Sequence, residues 1–230
     1  LAELIATVPV LIGIAFAQSA PQNLGFENGP PGAFPQGWAV PTPGYAAILT
    51  SENAKAGAHC AELSRSAGST QGRFGNLMQT FDAAAYRGKH MRFRAAVRIS
   101  SVARGDRAEL WLRVDRQNGE MGFFDNMDDR PIREPEWRYY DITGDIESDA
   151  ERINIGIMLL GSGKAWIDDV SFEALGDTPA LPVEAPRAFT RRGLANEIAF
   201  ARLFGYVRYF HPSDQAFRTG LDLIRHQGRA

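Results

Sequence analysis

Cysteine is almost missing from this 230-residue chain, which carries Cys60 alone. No disulfide can close within it, whatever the compartment. Cys60 sits in Ala58-His59-Cys60-Ala61-Glu62-Leu63, which alternates as a strand does. Its reading is a buried structural thiol, because His59 would point to the opposite face. Lysine is scarce too: only Lys55, Lys89 and Lys164 occur among 25 basic residues. Neither sign of charge prevails, the net being -2, so nothing favours nucleic acid or an anionic membrane surface as partner. The four histidines (His59, His90, His211, His226) show no metal-ligand spacing.

Leu4 to Ala17 is an apolar run of 14 residues, short of the roughly 20 that a spanning helix needs. It ends in Ala15-Phe16-Ala17 before polar Gln18-Ser19, the form of a signal-peptide h-region and cleavage site. The expectation is a signal peptide over 1–17, export to a periplasm or the outside, and no membrane span in the mature chain. Glu3 stands where a basic n-region belongs, and no methionine opens the chain. A mis-set or truncated start accounts for both.

From Pro21 to Gly176 the pattern is all-β. Alternating runs predict strands at Tyr45–Thr50, Cys60–Ser64, Asn76–Phe81, Lys89–Ile99, Ala108–Asp115, Trp137–Ile142, Arg152–Leu160 and Ala165–Phe172. In Met91–Ile99 the odd positions are apolar while Arg92, Arg94 and Arg98 face the other way. Glycine- and aspartate-rich breaks such as Arg104-Gly105-Asp106 and Gly161-Ser162-Gly163 separate the runs. The fold class is a jelly-roll β-sandwich over 21–176. Residues 177–190 hold Pro179, Pro182 and Pro186 and read as an extended linker. A helix is predicted over 193–209, with Leu194, Ile198, Phe200, Leu203, Phe204 and Val207 along one stripe.

The two ends of the β-region, Asn23-Leu24-Gly25-Phe26-Glu27-Asn28-Gly29 with Gly37-Trp38 and Ala165-Trp166-Ile167-Asp168-Asp169-Val170-Ser171-Phe172-Glu173, resemble galactose-binding-like jelly rolls of carbohydrate-binding modules. On the last strand Trp166, Asp168, Val170 and Phe172 are expected to share the buried face, which makes Asp168 an acid among hydrophobes. The resemblance implies a structural calcium ion held by Glu27 and Asp168 with backbone carbonyls, oxygen ligands that suit calcium. The alternative is a carboxylate satisfied by backbone amides or an arginine. Asp125, Asp128 and Asp129 lack the glycine and terminal glutamate of an EF-hand loop. They read as a polar connection in which Arg130 pairs locally. Core packing is expected for Trp38, Trp111, Trp137 and Trp166. A polysaccharide or cell-envelope ligand fits the fold, with no residue pair to place it.

Leu194–Phe204 followed by Gly205-Tyr206-Val207-Arg208-Tyr209-Phe210-His211-Pro212-Ser213-Asp214 resembles the opening of the peptidase part in bacterial C-terminal-processing (tail-specific) serine peptidases. That resemblance implies a serine nucleophile and a lysine base in a domain downstream of the motif. None of the three lysines matches that family's motif, so no residue here is assigned a catalytic role. Ser213 reads as a helix-ending turn and His211 as structural. The expectation is the non-catalytic front portion of an exported peptidase, inactive alone, with 191–230 opening the peptidase region. The absent domain would pack on the 193–209 helix. A frameshift after about Thr219 accounts for the departure of the last eleven residues from the family's pattern. A free-standing carbohydrate-binding module and a protein-interaction domain are the rival readings.

Overall fold

The computed structural model describes residues 18–178 and 190–210, with side chains to 206 in the helix. The signal segment 1–17, most of the linker and the 211–230 stretch, including His211 and Ser213, lie outside the described residues. The chain divides into two units, Leu1–Ala180 and Leu181–Ala230. In the second, the helix α1 runs Arg191–Phe210, within two residues of expectation. Thr190 caps it by accepting the Gly193 amide at 3.0 Å.

The first unit has nine strands: β1 Tyr45–Thr50, β2 Cys60–Arg65, β3 Phe74–Asp82, β4 Lys89–Ser100, β5 Arg107–Arg116, β6 Met121–Asp125, β7 Arg138–Ile146, β8 Ala150–Leu160 and β9 Lys164–Asp177. They form an antiparallel sheet of order β1-β2-β9-β4-β7 and another of order β3-β8-β5-β6. Alternation puts Met91, Phe93, Ala95, Val97 and Ile99 of β4 into the core opposite Ile153, Ile155, Ile157 and Leu159 of β8. Each such large side chain contributes about 1.5–3 kcal/mol by leaving water. Phe81, Tyr86 and Phe172 close one end of the core edge to face, at centroid distances of 5.2–5.6 Å.

Strand β9 departs from expectation. Ala165, Ile167 and Val170 face the core, while Trp166 and Asp168 lie on the outer side. A β-bulge is the cause. Arg94 pairs with Ser171 but Ala96 pairs with Asp168, so two residues of β9 oppose one of β4. Asp169 takes the left-handed conformation there, at φ +46°, which aspartate tolerates. The extra residue moves every later side chain to the opposite face. The Val170 amide donates to the Leu24 carbonyl at 3.0 Å, so the N-terminal segment takes up the edge beyond the end of β2. Glu27 therefore sits in an irregular segment, next to Phe26 at φ +58°, and not on a strand.

Strand β6 was not predicted. It is five residues long, with an internal glycine and two exposed side chains, so it carries no clear period-2 signal. Asp106, read from sequence only as part of a turn, ties two turns together. It accepts the amides of Val102, Ala103 and Ser162 at 2.7, 2.9 and 3.0 Å. At the opposite corner the Asp82 amide donates to the Gln18 carbonyl at 2.7 Å, and the Thr178 amide to the Gly88 carbonyl at 2.8 Å.

Candidate ligand-binding pocket and the clamped loop

Trp38 joins the cluster between the sheets, its ring tilted at 5.0 Å from Phe26, whereas Trp111 and Trp166 are buried outside that cluster. Trp111 is on the outer face of the smaller sheet, with Arg113 and Asp115 of the same strand. Its Nε1 donates to Asn76 Oδ1 on β3 at 2.9 Å. Strand β8 lies between β5 and β3, and adjacent strands are about 4.8 Å apart. The indole must therefore lie down across β8 to reach Asn76. Gly156 makes room for it, since a Cβ there would come within 2.8 Å of Nε1. The row continues through Thr80 to Asn154 (2.7 Å), Asn154 to Asp115 (2.8 Å) and Arg113 to Asp115 (2.7 Å). Arg113 is the register partner of Phe124 on β6.

Phe124 opens the pocket. Its ring is 46% exposed, and with Phe123, Asp125, Asn126, Asp128, Asp129, Arg130 and Thr143 it lines an open cavity of about 610 Å³. Met127, buried at φ +54°, pins the loop that carries these residues. Asp125 Oδ1 accepts the Met127 amide at 2.9 Å. Arg130 spans Asp125 at 2.5 Å and Asp129 at 2.7 Å, the local pairing expected from sequence. Burial pushes the Asp125 carboxyl up, but the Arg130 and Met127 hydrogen bonds outweigh it and hold it below the usual range. The result is an exposed aromatic face beside carboxylates, an amide and a guanidinium in fixed positions. Such a set suits a ligand that offers C–H faces and hydroxyl groups together.

Glu27 and Asp168 meet on one loop, residues 51–59, above the outer face of the larger sheet. Glu27 Oε1 accepts the amides of Ala58 and His59 at 2.9 and 3.1 Å. Asp168 Oδ2 accepts those of Lys55 and Ala56 at 2.8 and 2.9 Å, and its Oδ1 accepts the Asp169 amide at 2.7 Å. Gly57 has φ +61°, and a Cβ there would strike the Glu27 carboxylate, so the clamp needs glycine. The His59 amide, chiefly, holds the Glu27 carboxyl below its ordinary range. Asp168 is fully buried, and that burial raises its carboxyl despite three amide bonds. Among the described residues no group of three or more His, Cys, Asp or Glu side chains gathers at a common point.

Cys60 lies beneath the same loop with no exposed surface. Burial first, and the Asp168 charge second, push its thiol up to about 12. At pH 8 roughly one thiol in ten thousand would be ionised. A disulfide-exchange reagent is expected to leave the native protein unlabelled for hours and to label one thiol at once in denaturant. Rapid native labelling would contradict the buried reading.

The sandwich shares its fold with carbohydrate-binding modules. The C-terminal family 22 module of Clostridium thermocellum Xyn10B superposes with a TM-score of 0.51 at 14% identity, over 67% of this chain and 93% of that one. The tandem CBM22 domain of Paenibacillus barcinonensis Xyn10C gives 0.52 at 14% identity, over 76% and 50%. No protein-family model matches the chain. A curated relative, the uncharacterized HTH-type transcriptional regulator YbfP of Bacillus subtilis (strain 168), is 35% identical over 117 residues. The chain spans 39% of that relative's length, and the match takes in 50% of the chain. None of these proteins is a peptidase by name. No helix of the described residues is long and apolar enough to cross a membrane.

Proposed function

We propose that the β-sandwich is a non-catalytic carbohydrate-binding module that takes a saccharide in the Phe124 pocket. The observation that carries this reading is the half-exposed Phe124 ring set among Asp125, Asn126, Asp128 and Arg130, at the edge of a sheet of this fold. A pyranose ring presents an apolar C–H face that covers an aromatic side chain, while its hydroxyls pair with planar polar groups. Glycan-array binding and affinity electrophoresis of the whole chain test the reading. Retention by at least one neutral polysaccharide is expected, and migration unchanged by every plant and bacterial polysaccharide would sink it.

The clamp of Glu27 and Asp168 remains the proposed place for a structural calcium ion. After their amide bonds, Glu27 Oε2 and Asp168 Oδ1 keep acceptor capacity, with His59 Nδ1 3.5 Å from Glu27 Oε2. Loop carbonyls would supply the rest of the six to eight oxygens that calcium takes. Added calcium is expected to raise Tm by several degrees, and EDTA to reverse it, as mass action requires. A Tm indifferent to both leaves the loop to its amides alone.

A second reading attaches this module to a tail-specific serine peptidase exported from the cell. It is supported by the 205–214 motif and by α1 forming where that motif needs a helix, with Leu194, Ile198, Phe200 and Leu203 exposed. The partner for that apolar stripe would be the peptidase domain. The chain alone should then cleave no peptide, and the coding DNA beyond it should encode the serine–lysine domain in one frame or a shifted one.

A further inference from the structure

A second pocket lies at the far end of β4, away from Phe124. It is an open cavity of about 460 Å³ lined by Arg98, Ile99, Ser100, Ser101, Arg133 and Pro135. Two arginines line it and no carboxylate does. On the larger sheet Arg92 pairs with Glu173 and Arg138 with Glu134, while Arg65 and Arg94 rest on the rings of Tyr45 and Tyr139. Arg98 and Arg133 have no such ion-pair partner among the described residues. Arg133 only donates to the Asp106 carbonyl, at 3.1 Å.

Arg98 is held ready for a ligand rather than free to swing. Its guanidinium lies 3.8 Å from the Trp166 ring centroid and 5.2 Å from that of Trp137. Trp137 is itself fixed by a bond from Nε1 to the Asn53 carbonyl at 2.8 Å. The one hydrogen bond Arg98 makes is long, 3.4 Å from Nη2 to the Glu52 carbonyl. Its Nε is buried with no acceptor at all, a costly state for a charged donor. Trp166 Nε1, on the neighbouring strand of the same face, also lacks an acceptor. A planar guanidinium flattened on aromatic rings loses little freedom when it grips an oxyanion, and two exposed serine hydroxyls add donors.

We propose that this pocket binds an oxyanion, and that its source is the carboxylate of a uronic-acid residue in an acidic saccharide. The oxyanion site stands on the arginines alone; the uronate source rests on the module reading above. Inorganic phosphate or sulfate offers the same chemistry, and the experiment separates the sources.

The whole chain is titrated at constant ionic strength with digalacturonate, sodium phosphate, sodium sulfate and the neutral disaccharide galactobiose. Tryptophan fluorescence reports through Trp137 and Trp166, and calorimetry gives an independent Kd. Digalacturonate is expected to bind saturably, about tenfold or more weakly in Arg133→Gln, as losing a charge-assisted bond implies. Arg133→Lys, which keeps the charge but not the fork, should fall between. Retention of neutral polysaccharide by the parent chain is scored separately, so a failed module reading and a failed oxyanion site give different results. Saturation by phosphate or sulfate with none by digalacturonate overturns the uronate source and keeps the oxyanion site. No saturable response to any of the three anions, or an equal response in Arg133→Gln, overturns the site.

Discussion

Asp106→Ala is expected to destabilise the sandwich by about 1.5–3 kcal/mol and to lower Tm by roughly 5–10 °C. The residue is 3% exposed. Its carboxylate accepts three backbone amides, from Val102, Ala103 and Ser162. Those donors sit in exposed turns and would turn to water, so alanine costs the charge-assisted hydrogen bonds and a void at a buried position, about 1.5–3 kcal/mol in all. The two turns they belong to precede β5 and join β8 to β9, so their loosening acts on both sheets at once. The same bonds set a pH dependence. Burial alone would raise the Asp106 carboxyl, but the amides of Ala103, Val102 and Ser162, with a smaller contribution from that of Gly163, outweigh it and hold it below the ordinary range. A folded-state pKa below the unfolded one contributes stability that is complete above the unfolded value, near 3.9, and is lost as pH falls through the folded value. Urea melts from pH 6 down to pH 2.5 should show Asp106→Asn with a lower plateau and a shallower acid limb than the parent. Parallel curves would assign the acid sensitivity to other carboxylates.

Phe124→Ala is expected to abolish polysaccharide retention while leaving Tm within a degree or two. A central aromatic anchor is worth at least about 2 kcal/mol of binding, near a thirtyfold loss in affinity. The ring is 46% exposed and outside the core cluster, so its loss costs the fold little. Asp128→Asn should weaken binding less, because Asp128 makes no hydrogen bond or ion pair that the loop depends on. Unchanged retention in Phe124→Ala would move any glycan site elsewhere on the sandwich.

Eight of the nine strands and the helix were legible from alternation and breaks, because one buried face imposes a period that sequence records directly. The pocket was not. Phe124 belongs to a short edge strand whose side chains are half exposed, and exposure leaves no periodic mark. Trp166 was placed between the sheets by its alternation with Val170 and Phe172, which the bulge breaks, and Trp111 by the default of core packing; both are buried, but on outer faces. The β9 bulge hides in Asp168-Asp169, where composition gives no hint that one residue is unpaired. Glu27 and Asp168 were named through a resemblance, and the fold does bring them to one loop. What they hold there is set by backbone amides, which no side-chain pattern can announce.

The bonds from Asp82 to Gln18 and from Gly88 to Thr178 have an architectural consequence. The polypeptide enters and departs the sandwich beside a single seven-residue stretch, 82–88. A module with both leads at one corner can be spliced into a longer protein without parting any strand from its neighbour.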